Sequence, residues 1–177
     1  LEIGCGDGKY GFLLRKILKK NFKSYLGIDI RKRDNWSNKK KNFRFIKKDC
    51  YKIKKYLHKK NLIITQSALE HFKYDLKFMK ILRDNISKKN KIIQIHLIPS
   101  YSCLYTYLWH GYRHYNLNSI SKITKIFNNN CQFRIYPLGS TRLNLYHFFN
   151  ITIKKNKSQK LRNKKKKYFK KMYSLIS

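Results

Sequence analysis

Three glycines at alternate positions, Gly4, Gly6 and Gly8, follow the short run Leu1-Glu2-Ile3 and lead straight into a helical pattern at Lys9. No other stretch restricts the fold as strongly. Glycine lacks the Cβ that forbids left-handed and very tight turns, so three in alternation specify a strand-to-helix loop that approaches something closely. The helix behind such a loop offers unpaired backbone N–H groups to a polar or negative ligand. Strand, glycine loop and helix in that order belong to alternating α/β architectures.

The rest of the chain repeats the alternation. Phe12, Leu13, Leu14, Ile17 and Leu18 put an apolar stripe on a helix over Lys9–Lys20. Ser24–Ile30 and Asn42–Lys47 read as strands, Lys52–His58 as a short helix and Phe72–Ile86 as a longer one. Asn61–Thr65 and Lys91–Ile98 have the continuous apolar character of parallel strands buried on both faces. Right-handed crossovers then give an α/β, Rossmann-like, doubly wound and mostly parallel sheet with helices on both faces. A further helix is expected from Ser119, as its N-cap, to Phe127. Gln132–Leu138 and Leu145–Ile153 read as two more strands, expected to add an antiparallel edge. The domain is expected over residues 1–153, with an aromatic insert at about 99–130 and a basic tail at 154–177. Leu1 is not Met and lies inside a strand pattern, so a truncated first strand is expected.

The charge is extreme. Among 177 residues, 43 Lys and Arg face 8 Asp and Glu, a formal net charge of +35. Such a field attracts polyanions without any sequence code, so nonspecific nucleic-acid binding is expected. The lysines run from Lys9 to Lys171 without forming a stripe, alongside abundant Asn, Ile and Tyr. That spread favours compositional drift over a dedicated polyanion site. With 42% hydrophobic residues the chain is too apolar for a disordered polycation. Cys5, Cys50, Cys103 and Cys131 have no paired spacing, which gives no metal signature and suits a reducing, cytoplasmic location. No apolar run reaches the length of about 18 residues that reads as a membrane span.

The glycine loop satisfies two fingerprints at once. Gly6-x-Gly8-x-x-Gly11, with Asp29 downstream, matches the dinucleotide pattern. However, Gly4 and Cys5 stand where that pattern wants strand-forming residues. Glu2-x-Gly4-x-Gly6-x-Gly8 instead resembles the first motif of class I S-adenosylmethionine-dependent methyltransferases. The resemblance covers roughly Leu1–Ile98 and continues in order through Gly27-Ile28-Asp29-Ile30, Asp49-Cys50 and Ala68-Leu69-Glu70-His71-Phe72. Asn61 departs from the acid that often leads the fourth-strand segment.

The resemblance implies S-adenosylmethionine as cofactor, held by Glu2, Gly4, Gly6 and Gly8 around its methionine end. It further implies Asp29 and Ile30 at the ribose, Asp49 and Cys50 at the adenine, and Ser67 at the end of the fourth strand. Glu70 reads equally well as an acid in the first turn of a helix. An oxygen acceptor needs a base, and His71 is the candidate because it follows the fourth strand at the edge where such sheets bind ligands. His96, Trp109, His110 and Tyr112 are the candidate substrate residues. The segment from His96 through Arg113 resembles a pattern in uncharacterised bacterial methyltransferases of this class.

Ile64-Thr65-Gln66-Ser67 lacks the Pro-Pro-aromatic loop common in base-amine methylation, and no cysteine follows a proline as C5 methylation would ask. The expected reaction is methyl transfer to oxygen or nitrogen of a small-molecule, lipid-precursor or glycan acceptor. Alternatives are an RNA methyltransferase, a truncated non-catalytic cofactor-binding domain and an NAD-binding domain.

Overall fold

Five strands, all parallel, make one sheet in the order β3-β2-β1-β4-β5 in the computed structural model of the chain. They are β1 Glu2–Ile3, β2 Tyr25–Asp29, β3 Phe43–Lys47, β4 Leu62–Gln66 and β5 Ile93–Leu97. The helices are α1 Lys9–Leu18, α2 Lys54–Leu57, α3 Asp75–Asn85 and α4 Leu117–Phe127. The structure describes residues 1–37, 41–85, 92–101, 111–127, 131–138, 142 and 145. These divide between two units: Leu1–Pro99 with Gly111–Cys131, which holds the sheet and α1–α4, and Ser100–His110 with Gln132–Ser177.

Strand alternation sorts the side chains of the first unit onto two faces. Ile3, Ile28 and Ile63 join Leu57, Phe78, Met79, Leu82 and Phe127 in one core, so α2, α3 and α4 cover that face. The neighbouring positions Tyr25, Phe43 and Phe45 point the other way and form an aromatic layer with Phe12 and Trp36. Gly11 of α1 lies so near the Tyr25 ring that a Cβ there would come within 2.5 Å of it. The order reverses between β1 and β4. Open α/β sheets bind their ligands beside such a switch point, at the carboxyl ends of the strands.

The doubly wound α/β reading therefore holds, with three adjustments. The expected antiparallel edge is not seen: the sheet of the described residues is wholly parallel, and Gln132–Leu138 runs exposed and irregular. Of Leu145–Ile153, only Leu145 lies among the described residues. Strand β5 is not buried on both faces: Ile93 is 64% and Ile95 43% exposed, on the face opposite the one that α2, α3 and α4 cover. The cap of α4 is Asn116 rather than Ser119: its Oδ1 accepts from Ser119 N at 2.8 Å, so Ser119 already stands in the first turn.

Candidate functional site

The glycine loop is folded as its sequence requires, with Gly4, Gly6 and Gly8 at φ values of +73°, +49° and +72°. It is tied to the end of β2, because Gly4 N and Cys5 N both donate to Ile28 O, at 2.8 and 3.1 Å. Two of its glycines have opposite surroundings. A Cβ on Gly4 would overlap the Ala68 side chain, so the loop after β1 and the loop after β4 touch through this missing methyl. A Cβ on Gly6 would meet nothing within 4 Å, so Gly6 presents bare backbone to open space.

Asp29, the last residue of β2, holds the loop in place. Gly6 N donates to its Oδ2 at 2.8 Å and Arg31 N to its Oδ1 at 2.9 Å. Each carboxylate oxygen keeps a second lone pair for another donor. The adjacent Ile30 is 64% exposed, an apolar surface beside this carboxylate. Trp36 reinforces the loop from below. Its Nε1 donates to Gly6 O at 2.9 Å, and its ring stacks on Phe45 with centroids 5.4 Å apart. No spacing rule pointed to Trp36, because it acts through tertiary contact alone.

Asp49 follows β3 and caps the next turn, its Oδ1 accepting from Tyr51 N at 2.8 Å. The neighbouring Cys50 is half-buried, and burial pushes its thiol up to about 12. Glu2 stands apart from the other acids. It is fully buried, the Tyr25 hydroxyl donates to its Oε2, and burial raises its carboxyl to about 7. That places Glu2 in a hydrogen bond under the loop.

Ser67, just after β4, adopts φ +43°, a left-handed conformation that costs a non-glycine residue about 1–2 kcal/mol. Its N donates to Leu97 O at 3.0 Å and its side chain is exposed. His71 ends the short turn Leu69–His71, also with an exposed side chain. Glu70 in this turn is buried and precedes α3 by several residues, so it is not a first-turn acid of that helix. Tyr112 reaches the same turn through its backbone, donating to Glu70 O at 2.7 Å, and its ring is 66% exposed.

His96 is engaged within the sheet. Its Nδ1 lies 2.8 Å from Thr65 Oγ1, its cross-strand partner, and its Nε2 lies 3.2 Å from Gln94 Oε1. Burial lowers its imidazole to about 4. Trp109, His110 and Cys103 lie outside the described residues.

The carboxylates are unevenly distributed. Asp7, Asp29, Asp34, Asp49, Glu70 and Asp75 follow the carboxyl ends of β1 to β4, and Glu2 lies under the first of these loops. Asp84, paired with Arg83 at 2.7 Å near the end of α3, is the exception. Most acids of a strongly basic chain thus follow the carboxyl ends of the strands. A cavity of 790 Å³ between Leu18, Tyr25, Leu62 and Ile93 opens at the amino ends of the strands, and Glu2 is the one acid among the residues that line it. Among the described residues no group of His, Cys, Asp or Glu could hold a metal ion, and no helix is long and apolar enough to cross a membrane.

No family model matches the sequence, and no curated protein matches it. Among the solved structures that are similar in part are these two. One is the plantazolicin methyltransferase BpumL in complex with a pentazolic desmethylPZN analog and SAH. It is 18% identical with a TM-score of 0.48, over 71% of this chain and 47% of that one. The other is the plantazolicin methyltransferase BamL in complex with a triazolic desmethylPZN analog and SAH. It is 20% identical with a TM-score of 0.45, over 71% of this chain and 46% of that one. The chain therefore spans about half the length of the solved structures it matches.

Proposed function

We propose that the chain is the donor-binding domain of an S-adenosylmethionine-dependent methyltransferase acting on oxygen or nitrogen of a small organic acceptor. The observation that carries this reading is the lock between Asp29 and Gly6 N at 2.8 Å, beside the open face of Gly6. A backbone cradle with no side chain in it, adjoining a carboxylate with lone pairs to spare, fits the methionine end and the ribose of this cofactor. Exposed Ile30 supplies an apolar surface next to the ribose position, and Asp49 with Cys50 stands at the next strand end.

When bound, the cofactor supplies an electrophilic methyl group already activated for in-line displacement. The chain's own task is to align an acceptor and, for a hydroxyl, to take its proton. His71, exposed after β4, is the residue we assign to that proton.

A second reading, an RNA acceptor, draws on the cations Arg31, Lys32, Arg33 and Lys47, which are exposed around the ends of β2 and β3. Calorimetry with S-adenosylmethionine, S-adenosylhomocysteine and NAD tests the main reading. The expected result is binding of the first two and not the third, and silence from both methionine derivatives would sink it. A structured RNA preferred over a single-stranded homopolymer at physiological salt would support the second reading, and equal affinity for both would reject it.

A further inference from the structure

The chain leaves the first unit at Pro99 and rejoins it at Gly111, and the rejoining segment is fastened to the turn that follows β4. Gly111, at φ +81°, lies so close that a Cβ on it would come within 2.9 Å of Glu70 O. Tyr112 N donates to the same carbonyl at 2.7 Å. The Arg113 guanidinium then spans two points: Nη1 donates to Asp75 Oδ1 and Nη2 to Lys73 O at 2.6 Å. The Tyr115 hydroxyl donates to Asp75 Oδ2 at 3.0 Å, and Tyr115 N donates to Pro99 O at 3.0 Å.

Asp75 is 3% exposed, and a buried carboxylate is tolerated only when its oxygens are partnered. Here Arg113, Tyr115 and Leu76 N all donate to it. The planar fork of an arginine is what lets one side chain bridge a carboxylate and a carbonyl, which a lysine ammonium cannot reproduce. None of these bonds involves a residue of the glycine loop.

We propose that Arg113 and Asp75 are positioning residues for the acceptor half of the site. Their ion pair fastens Arg113 to the first residue of α3 and, together with the bond from Tyr112 N to Glu70 O, holds Gly111–Tyr115 against the segment Glu70–Asp75, so that Tyr112 is positioned beside the turn that carries His71. Its functional meaning rests on the methyltransferase reading, whereas its geometry does not.

Hydrogen exchange on the full chain tests it, with Arg113→Met, Arg113→Lys and Tyr115→Phe compared with the parent. In Arg113→Met the amides of Tyr112 and His71 should exchange about tenfold faster or more, with β2 and β4 unchanged. Arg113→Lys should behave almost as badly, and S-adenosylhomocysteine affinity should stay within about threefold in each variant. If Arg113→Met fails to fold, Tyr115→Phe decides through a smaller rise at the same two amides. Faster exchange throughout the sheet with weakened ligand binding would reduce Arg113 to an ordinary structural ion pair and overturn the proposal. Unchanged amides at Tyr112 and His71, or full rescue by lysine, would overturn it too. Failure of the parent to bind S-adenosylhomocysteine would defeat the donor-site reading alone, because the exchange comparison needs no ligand.

Discussion

Asp29 and Gly6 are joined by a charge-assisted bond, Gly6 N to Oδ2 at 2.8 Å, so the acid that ends β2 also shapes the loop after β1. One residue thus has two tasks, and removing it should affect both. Hydrogen bonds to charged groups are worth about 1.5–3 kcal/mol each. Asp29→Ala is expected to weaken S-adenosylhomocysteine binding by at least about tenfold, with Asp29→Asn less severe. Calorimetry measures this, and an unchanged affinity in the alanine variant would show that the carboxylate is not part of the ligand site.

Gly4 and Gly6 should separate folding from binding. Gly4→Ala drives a Cβ into Ala68 and strains a residue at φ +73°, so a loss of about 2–4 kcal/mol in urea unfolding is expected. Gly6→Ala meets open space and costs only the left-handed backbone, about 1–2 kcal/mol, yet it fills the cradle. Its thermal midpoint should drop less than that of Gly4→Ala while its ligand affinity drops more. The reverse order would mean that the open face of Gly6 is not where a ligand sits.

Two buried groups should tilt the pH dependence of stability in opposite directions. The Glu2 carboxyl is raised from 4.5 to about 7, so its contribution is complete below pH 4.5 and is lost as pH rises through 7. The His96 imidazole is lowered from 6.5 to about 4, so its contribution is present above pH 6.5 and is lost as pH falls through 4. Each full shift corresponds to something on the order of 3 kcal/mol. Between pH 4.5 and 6.5 the two slopes offset each other. Relative to the parent, Glu2→Gln should therefore gain stability as pH rises through that window, and His96→Gln should lose it. Urea midpoints at several pH values provide the check, and difference curves of the same sign would contradict both assignments.

The thiols should divide sharply. Burial pushes the Cys5 thiol far up and Cys50 to about 12, while Cys131 is exposed. Peptide mapping after maleimide treatment at neutral pH should find Cys131 modified promptly and Cys5 and Cys50 only at the rate of unfolding. Prompt modification of Cys5 would mean that the glycine loop opens in the native state.

Much of this architecture was legible from residue order. Strands at β2, β3 and β4 follow from apolar runs bounded by polar turns, and crossover handedness then brings their carboxyl ends to one edge, which is why Asp29 and Asp49 could be placed there. Glu2 could not be assigned in the same way. Which way a two-residue strand presents its acid depends on Tyr25, whose hydroxyl takes that carboxylate, and no local pattern reveals a partner 23 positions away. Asp75 and Arg113 escaped for the same reason at a separation of 38. The exposed side of β5 was hidden differently. Its sequence is as apolar as a central strand, and only the packing of the helices shows that Ile93 and Ile95 point away from the covered face. His96 looked free for chemistry because sequence cannot show that Thr65 stands opposite it.

The fastening of Gly111–Tyr115 has a modular consequence. Pro99 and the segment Gly111–Tyr115 are pinned by backbone bonds, Tyr115 N to Pro99 O and Tyr112 N to Glu70 O. Bonds made by main-chain atoms are indifferent to the identity of the residues they bracket. The side chains of Pro99 and Tyr112 are therefore exchangeable without loss of either anchor, while the carboxylates and glycines at the strand ends keep their places.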